Sequence, residues 1–254
     1  MSHNDPQARL DLDHHPDEIS RRLRQPGRSQ LVSAGVLGGI DGCVTTFAVV
    51  AGAFGAGFST TVALVLGFAN LLADGFSMAV SNHEAMSAQR DLAESIRQTE
   101  WEHIRKVPDG EREEIRQIFA AKGFEPPVLE TIVDTISQNE ALWVETMLRE
   151  EHGLHESPDS PIQAALTTFA AFVVVGAMPL LPLLIPGMSA LQQFILSSTI
   201  AGSMFFAIGS LKSLVLGQPV IRAGVRTLLT GGTAALLALL AGYLLRQLFG
   251  VVVA

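Results

Sequence analysis

Thr61-Val-Ala-Leu-Val-Leu-Gly-Phe-Ala-Asn-Leu-Leu-Ala-Asp-Gly-Phe-Ser-Met-Ala-Val-Ser81 is apolar enough to sit in lipid. The chain runs on from it into Gln89-Arg-Asp-Leu-Ala-Glu-Ser-Ile-Arg-Gln-Thr-Glu-Trp-Glu-His-Ile-Arg-Lys106, which is plainly aqueous. No Gly or Pro lies between Phe76 and Val107, so nothing in the sequence breaks a helix at the boundary. The reading predicts one helix that starts in a membrane and ends in water, reaching roughly 45 Å from mid-membrane into the cytosol. Two groups of possible metal ligands lie on it. Asp74 and Met78 share a face at i and i+4, with Asn82 one turn on, and Glu100 and His103 share a face at i and i+3. A carboxylate in lipid is costly, and it marks a pathway or site more often than a plain helix–helix hydrogen bond.

The rest of the composition agrees with that division. The chain has 254 residues, 48% of them hydrophobic, yet a formal charge of −8. Sixteen of the 25 Asp and Glu fall between Asp91 and Glu156, against seven of the 17 Lys and Arg. An acidic block of that kind repels nucleic acid and anionic lipid and attracts divalent cations. The single Cys43 excludes an intrachain disulfide and a multi-thiolate metal site, and its apolar surroundings suit an inert packed thiol.

Residues 1–29 read as a polar cytosolic tail with His3, His14 and His15, without the apolar core of a cleavable signal. A first membrane span is predicted from about Leu31 to Phe58. It carries Asp41 among Gly35-xxx-Gly39 and Gly38-xxx-Gly42, patterns that permit close approach of a second helix. Those patches predict a dimer formed through the first two spans. Residues 30–90 thus hold spans one and two, and residues 91–157 form a cytosolic acidic insert.

In the insert, Pro108-Asp-Gly110 turns the chain, and Glu111 to about Lys122 reads as a short helix. Ile115, Ile118 and Phe119 fall on one side of it, with Glu111 and Glu114 on another. Gly123-Phe-Glu-Pro-Pro127 breaks the chain again, and a third helix is predicted from about Val128 to His152, stopped by Gly153. Near its end stand Glu145, Met147, Glu150, Glu151 and His152.

Residues 158–254 hold three further apolar runs, about Ile162–Ile185, Ala190–Leu211 and Gly224–Leu245, each long enough to cross a bilayer. Pro179, Pro182 and Pro186 should kink or end the third span. The fold class expected is all-α: a polytopic membrane protein with five transmembrane helices and a three-helix cytosolic insert between spans two and three. Arg21, Arg22, Arg24 and Arg28 precede span one, and Lys212, Arg222 and Arg226 fall in the expected loop between spans four and five. The loops Gly55–Thr60 and Pro186–Ser189 hold no Lys or Arg, so the N-terminus and insert are expected in the cytosol and the C-terminus outside. A short polar N-terminal tail without a transit peptide suits a bacterial inner membrane.

Glu100, His103, Glu111, Glu114, Met147 and Glu151 come in pairs three or four apart, the spacing that helical-bundle metal sites use. Carboxylates mixed with one imidazole and one thioether favour Mn²⁺, Fe²⁺ or Co²⁺ over Cu⁺. The same spacing of Glu occurs on many solvated helices, so on spacing alone a plain acidic face is the commoner outcome.

Gly39-Ile-Asp-Gly-Cys-Val-Thr-Thr46, Ala73-Asp-Gly-Phe-Ser-Met-Ala79, Ser87-Ala-Gln-Arg-Asp91 and Met147-Leu-Arg-Glu-Glu-His-Gly-Leu154 resemble the vacuolar iron transporter family. The five-span plan is similar too, from about Gln30 onward. The resemblance implies a homodimeric, proton-coupled exchanger that moves Fe²⁺, and often Mn²⁺, out of the cytosol. It implies a membrane site at Asp41 and Met78 and a metal-binding insert; the shared helix face places Asp74 and Asn82 beside the same expected pathway. Ions are then substrates, and no prosthetic group or enzymatic activity is expected. The chain departs from the family at Ile40, where Asn is usual, and at Ser81-Asn82-His83, where a carboxylate and Tyr are usual. His103 stands where an acidic ligand is common, and Leu148 cannot coordinate.

Two rival readings come from other classes. A membrane-anchored buffer or sensor would bind ions without moving them, and would have no use for intramembrane carboxylates. An intramembrane hydrolase using Asp41 and Asp74 as an acid pair would leave Met78 idle.

Overall fold

The computed structural model of the chain describes residues 14–24, 30–154, 159–216 and 219–250. Of the N-terminal histidines, His3 lies outside the described residues, as does Arg28. The described chain is helical, and five helices are long and apolar enough to cross a membrane, as the apolar runs predict. In order they are α1 (Pro16–Arg24), α2 (Gln30–Ala56), α3 (Thr60–Lys106), α4 (Pro108–Ala121), α5 (Val128–Ser137), α6 (Glu140–Glu150), α7 (Pro161–Ala177), α8 (Ala190–Leu216) and α9 (Val220–Phe249). The spans are α2, α3, α7 with its extension, α8 and α9.

The run without Gly or Pro produces what it predicts: α3 is a single helix of 47 residues. The chain nonetheless divides into two compact units, Met1–Ala79 with Pro158–Ala254, and Val80–Ser157, and the dividing point falls within α3.

In the first unit α2 is the central element, packed against α7, α8 and α9. Cys43 is fully buried, in a cluster with Phe47, Val50, Leu180 and Phe205. The glycines of α2 explain how close the helices come. A Cβ on Gly38 would lie 2.4 Å from the carbonyl oxygen of Thr168, and one on Gly42 2.4 Å from that of Phe172. The glycine patches are therefore used inside the chain, against α7. This corrects the expectation that they form a dimer contact: one sequence shows that a close approach is possible, not which helix makes it.

Pro179 and Pro182 act as expected. The α-helical part of span three ends at Ala177, and Met178–Leu184 continues as a 3-10 segment, in which Pro179, lacking an N–H, and Pro182 are tolerated. The Ser197 hydroxyl of α8 donates to the Pro179 carbonyl at 2.6 Å, giving that turn a buried partner. One loop expectation fails. Lys212 lies within α8, which runs to Leu216, and Arg222 and Arg226 belong to the first two turns of α9, which starts at Val220, just after Pro219.

The second unit has its own apolar core: Ile104 of α3, Ile115 of α4, Val133 and Ile136 of α5, and Trp143, Val144, Met147 and Leu148 of α6. The helix expected over 128–152 is two helices. Asn139 is extended, and its side chain accepts from the Leu142 N–H at 3.1 Å, so a polar cap starts α6 within an otherwise periodic apolar run. Ion pairs tie the surface together: Arg116 with Glu130, Arg112 with Asp134, Lys122 with Glu150 and Arg97 with Glu145.

Candidate metal centre

Most carboxylates of the insert that face an Arg or Lys are accounted for by those surface ion pairs. Glu100, Glu111 and Glu151 are different, because their partners are imidazoles. Glu100 comes from α3 and is 3% exposed, and Glu111 comes from α4 and is also 3% exposed. The sequence pattern sets Glu111 apart from Ile115, but the two are one helical turn apart, and the structure buries both. Glu114 remains on the exposed side.

The donors converge in two sets that share Glu100. Ligand atoms of Glu100, His103 and Glu111 lie within 4.8 Å of one another, and so do those of Glu100, Glu151 and His152. His103 Nδ1 is 3.3 Å from Glu111 Oε1. His152 Nε2 is 3.1 Å from Glu100 Oε1 and 3.6 Å from Glu151 Oε2. Among the described residues, the second oxygens of both buried carboxylates, Glu100 Oε2 and Glu111 Oε2, have no hydrogen-bond partner. Leaving such an atom unmatched costs about 1–3 kcal/mol, more for a charged group, and a bound cation would remove that cost.

Local structure explains how His152 reaches the site. The helix α6 is followed by Gly153 at φ +65°, a conformation that suits glycine, and the Leu154 N–H closes the turn on the Leu148 carbonyl at 2.9 Å. The imidazole that precedes this turn meets Glu100. In the sequence His152 reads only as one of several polar residues at a helix end. The neighbouring Gly153 stop is the signal that would have drawn attention to it.

Burial, and then charge crowding, sets the electrostatics. Burial, reinforced by Glu100, Glu114 and Glu151 and opposed by His103, pushes the Glu111 carboxyl up to about 7. Burial also raises Glu151, against the His152 imidazole, with Glu114 and Glu100 adding to the rise. Glu114 is thus close enough to act on both carboxylates. Met147, the remaining residue of the expected set, is fully buried in the apolar core of the same unit. Carboxylate and imidazole together suit a divalent transition metal, and the two open oxygens provide places for it.

The membrane-spanning unit holds a second group. Asp41 of α2 is half-buried, and Asp74 of α3 lies within electrostatic range of it. One turn away on each helix, the Asn70 amide donates to the Thr45 hydroxyl at 3.5 Å, and Thr45 donates to the Asp41 carbonyl at 2.9 Å. Two polar strips, Asp41–Thr45 and Asn70–Asp74, therefore follow matching turns of two spans. Met78 is half-buried one turn beyond Asp74, and Asn82 falls in the other unit. The strip partners Thr45 and Asn70 were not singled out in the sequence. Their spacing of four from each Asp was the available signal.

Residues 32–243 match the model of the VIT family. A vacuolar iron transporter of Toxoplasma gondii is 32% identical over 87% of this chain and 76% of its own length. Vacuolar iron transporter 1 of Arabidopsis thaliana is 30% identical over 91% of this chain and 90% of its own length. A vacuolar iron transporter of Plasmodium falciparum is 34% identical over 57% of this chain and 55% of its own length.

Proposed function

The chain belongs to the VIT family, and we propose that it transports divalent iron, and Mn²⁺ with it, out of the cytosol in exchange for protons. The observation that carries the metal part is the pair of buried carboxylates, Glu100 and Glu111, each with one oxygen beside an imidazole and one oxygen open. The relatives' names supply the ion, iron, and the activity, transport. In this reading the insert collects the ion at the cytosolic face, using Glu100, His103, Glu111, Glu114, Glu151 and Met147. Asp41, Asp74 and Met78 then pass it between spans. The N-terminus and insert face the cytosol, the C-terminus faces outward, and the membrane is a bacterial inner membrane.

Proton exchange follows from the same donors. A carboxylate that holds a proton until a cation arrives releases it on binding, so loading and deprotonation are linked. The protein acts as a homodimer in this reading, through a surface other than the glycine stripe of α2. Exposed apolar side chains such as Val65, Leu72 and Phe76 on α3 are available for lipid or for a second copy.

The deciding experiment is metal-by-metal flux into proteoliposomes, with and without a pH gradient. Fe²⁺ and Mn²⁺ uptake that collapses when the gradient is removed supports the reading. Stoichiometric binding without flux would make the protein a membrane-anchored buffer, and flux indifferent to the gradient would remove proton coupling.

A further inference from the structure

His103 and His152 come from different elements, yet each meets one of the two most buried carboxylates of the insert. His103 Nδ1 stands 3.3 Å from Glu111 Oε1, and His152 Nε2 3.1 Å from Glu100 Oε1. The imidazole contacts account for one oxygen on each carboxylate. They leave Glu100 Oε2 and Glu111 Oε2, both shielded from solvent, without a hydrogen-bond partner among the described residues. Two buried carboxylate oxygens left open in this way point to a cation, and the donors grouped with them include both imidazoles.

We propose that His152 is a metal ligand and that, with His103, it biases the insert towards Co²⁺, Ni²⁺ or Zn²⁺ and against Mn²⁺. The inference rests on the reading that the Glu100 group binds the transported ion, and it names the chemistry that decides which ion is held best. Manganese is well served by oxygen donors alone, and each oxygen replaced by an imidazole nitrogen favours the later metals. His152 shares a donor set with Glu100 and Glu151, and His103 shares one with Glu100 and Glu111, so Glu100 links an imidazole on either side. The alternative role for His152 is electrostatic: a protonated ring that offsets Glu100 and Glu151. The two roles differ in one measurable respect. A nearby positive charge acts alike on every divalent ion, whereas a nitrogen ligand discriminates between them.

Binding of Co²⁺ and Mn²⁺ to the full-length chain in detergent is measured by equilibrium dialysis for wild type, H152Q, H103Q and E100Q. Glutamine keeps an N–H that can donate to Glu100 and removes the imidazole. H152Q should weaken Co²⁺ binding by about tenfold or more and Mn²⁺ binding by less than about threefold. E100Q should weaken both ions. An unchanged ratio of Co²⁺ to Mn²⁺ affinity in H152Q, whether both fall or neither does, overturns the proposal while leaving the site intact. Wild-type binding of both ions by E100Q would instead remove the site itself. X-ray absorption of H103Q carrying one equivalent of Co²⁺ gives a second test that does not need H152Q to fold. Imidazole scattering there supports His152 as a ligand, and its absence overturns that assignment.

Discussion

His152 Nε2 lies 3.1 Å from Glu100 Oε1, although the two residues are 52 positions apart in the chain. The contact closes the end of α6 onto α3 and leaves the other oxygen of Glu100 buried and open. A structure built only for stability would not keep that oxygen. An amide or an apolar side chain of similar size avoids the desolvation cost of the carboxylate.

Glu100→Gln should therefore leave the metal-free protein as stable as wild type or more so, while removing most of its stabilisation by metal. In wild type, an ion that binds only the folded state adds about 2.7 kcal/mol at 100 times its Kd. Thermal unfolding in detergent, with and without Co²⁺, checks both halves. A destabilised metal-free variant with a full metal response would show that Glu100 is structural.

Acidity should act in opposite directions on the metal-free and the loaded protein. The folded-state Glu111 carboxyl sits at about 7, above its ordinary value of 4.5. A raised carboxyl contributes stability that is fully present below about 4.5 and is lost as pH rises through about 7. The metal-free protein should thus unfold more easily at pH 8 than at pH 5.5. Metal needs the deprotonated carboxylate, so affinity should climb over the same interval. Denaturation and binding measured across pH 5.5 to 8 test both signs, and parallel curves would exclude Glu111 as the coupling group.

The spans were legible because each is a long, mostly apolar run, and α3 because it lacks Gly and Pro through residues 77–106. Helical spacing, together with the family resemblance, also marked Glu100, His103 and Glu111 as candidates. What stayed hidden depends on partners. Asn139 looked like one polar position in a periodic helix, and only its bond to the Leu142 N–H shows it to be a cap. The pattern sets Glu111 on a different side from Ile115, although the two are one turn apart and the structure buries both. His152 depended on the Gly153 turn. The glycines of α2 announced a neighbour without identifying α7.

Gly42→Ala tests that last assignment. The added methyl would stand 2.4 Å from the Phe172 carbonyl oxygen, a backbone atom that cannot turn aside. The pair α2–α7 must then separate, at a cost of about 1–3 kcal/mol or more, as overpacking costs. A fall in the thermal midpoint of the solubilised protein is expected, with the oligomeric state of the surviving fraction unchanged. Unaltered stability together with a loss of dimer would return the glycines to an intermolecular role.

Asp41 should be indispensable for transport, with Met78 tuning which ion is carried. Asp41 is half-buried among glycines on α2, in electrostatic range of Asp74, and carries a polar neighbour in Thr45 one turn on. Asp41→Asn keeps the shape and removes the group that exchanges a proton for a cation. Metal-driven proton movement should vanish while binding at the insert persists, which separates the pathway from the collecting site. Met78 offers a polarizable thioether, a better ligand for Fe²⁺ than for harder ions. Met78→Ala should then reduce Fe²⁺ flux more than Mn²⁺ flux. Stopped-flow proton flux in liposomes, with both variants checked for folding by their melting curves, decides the matter. Wild-type rates in Asp41→Asn would take Asp41 off the pathway and leave Asp74 as the carboxylate to test next.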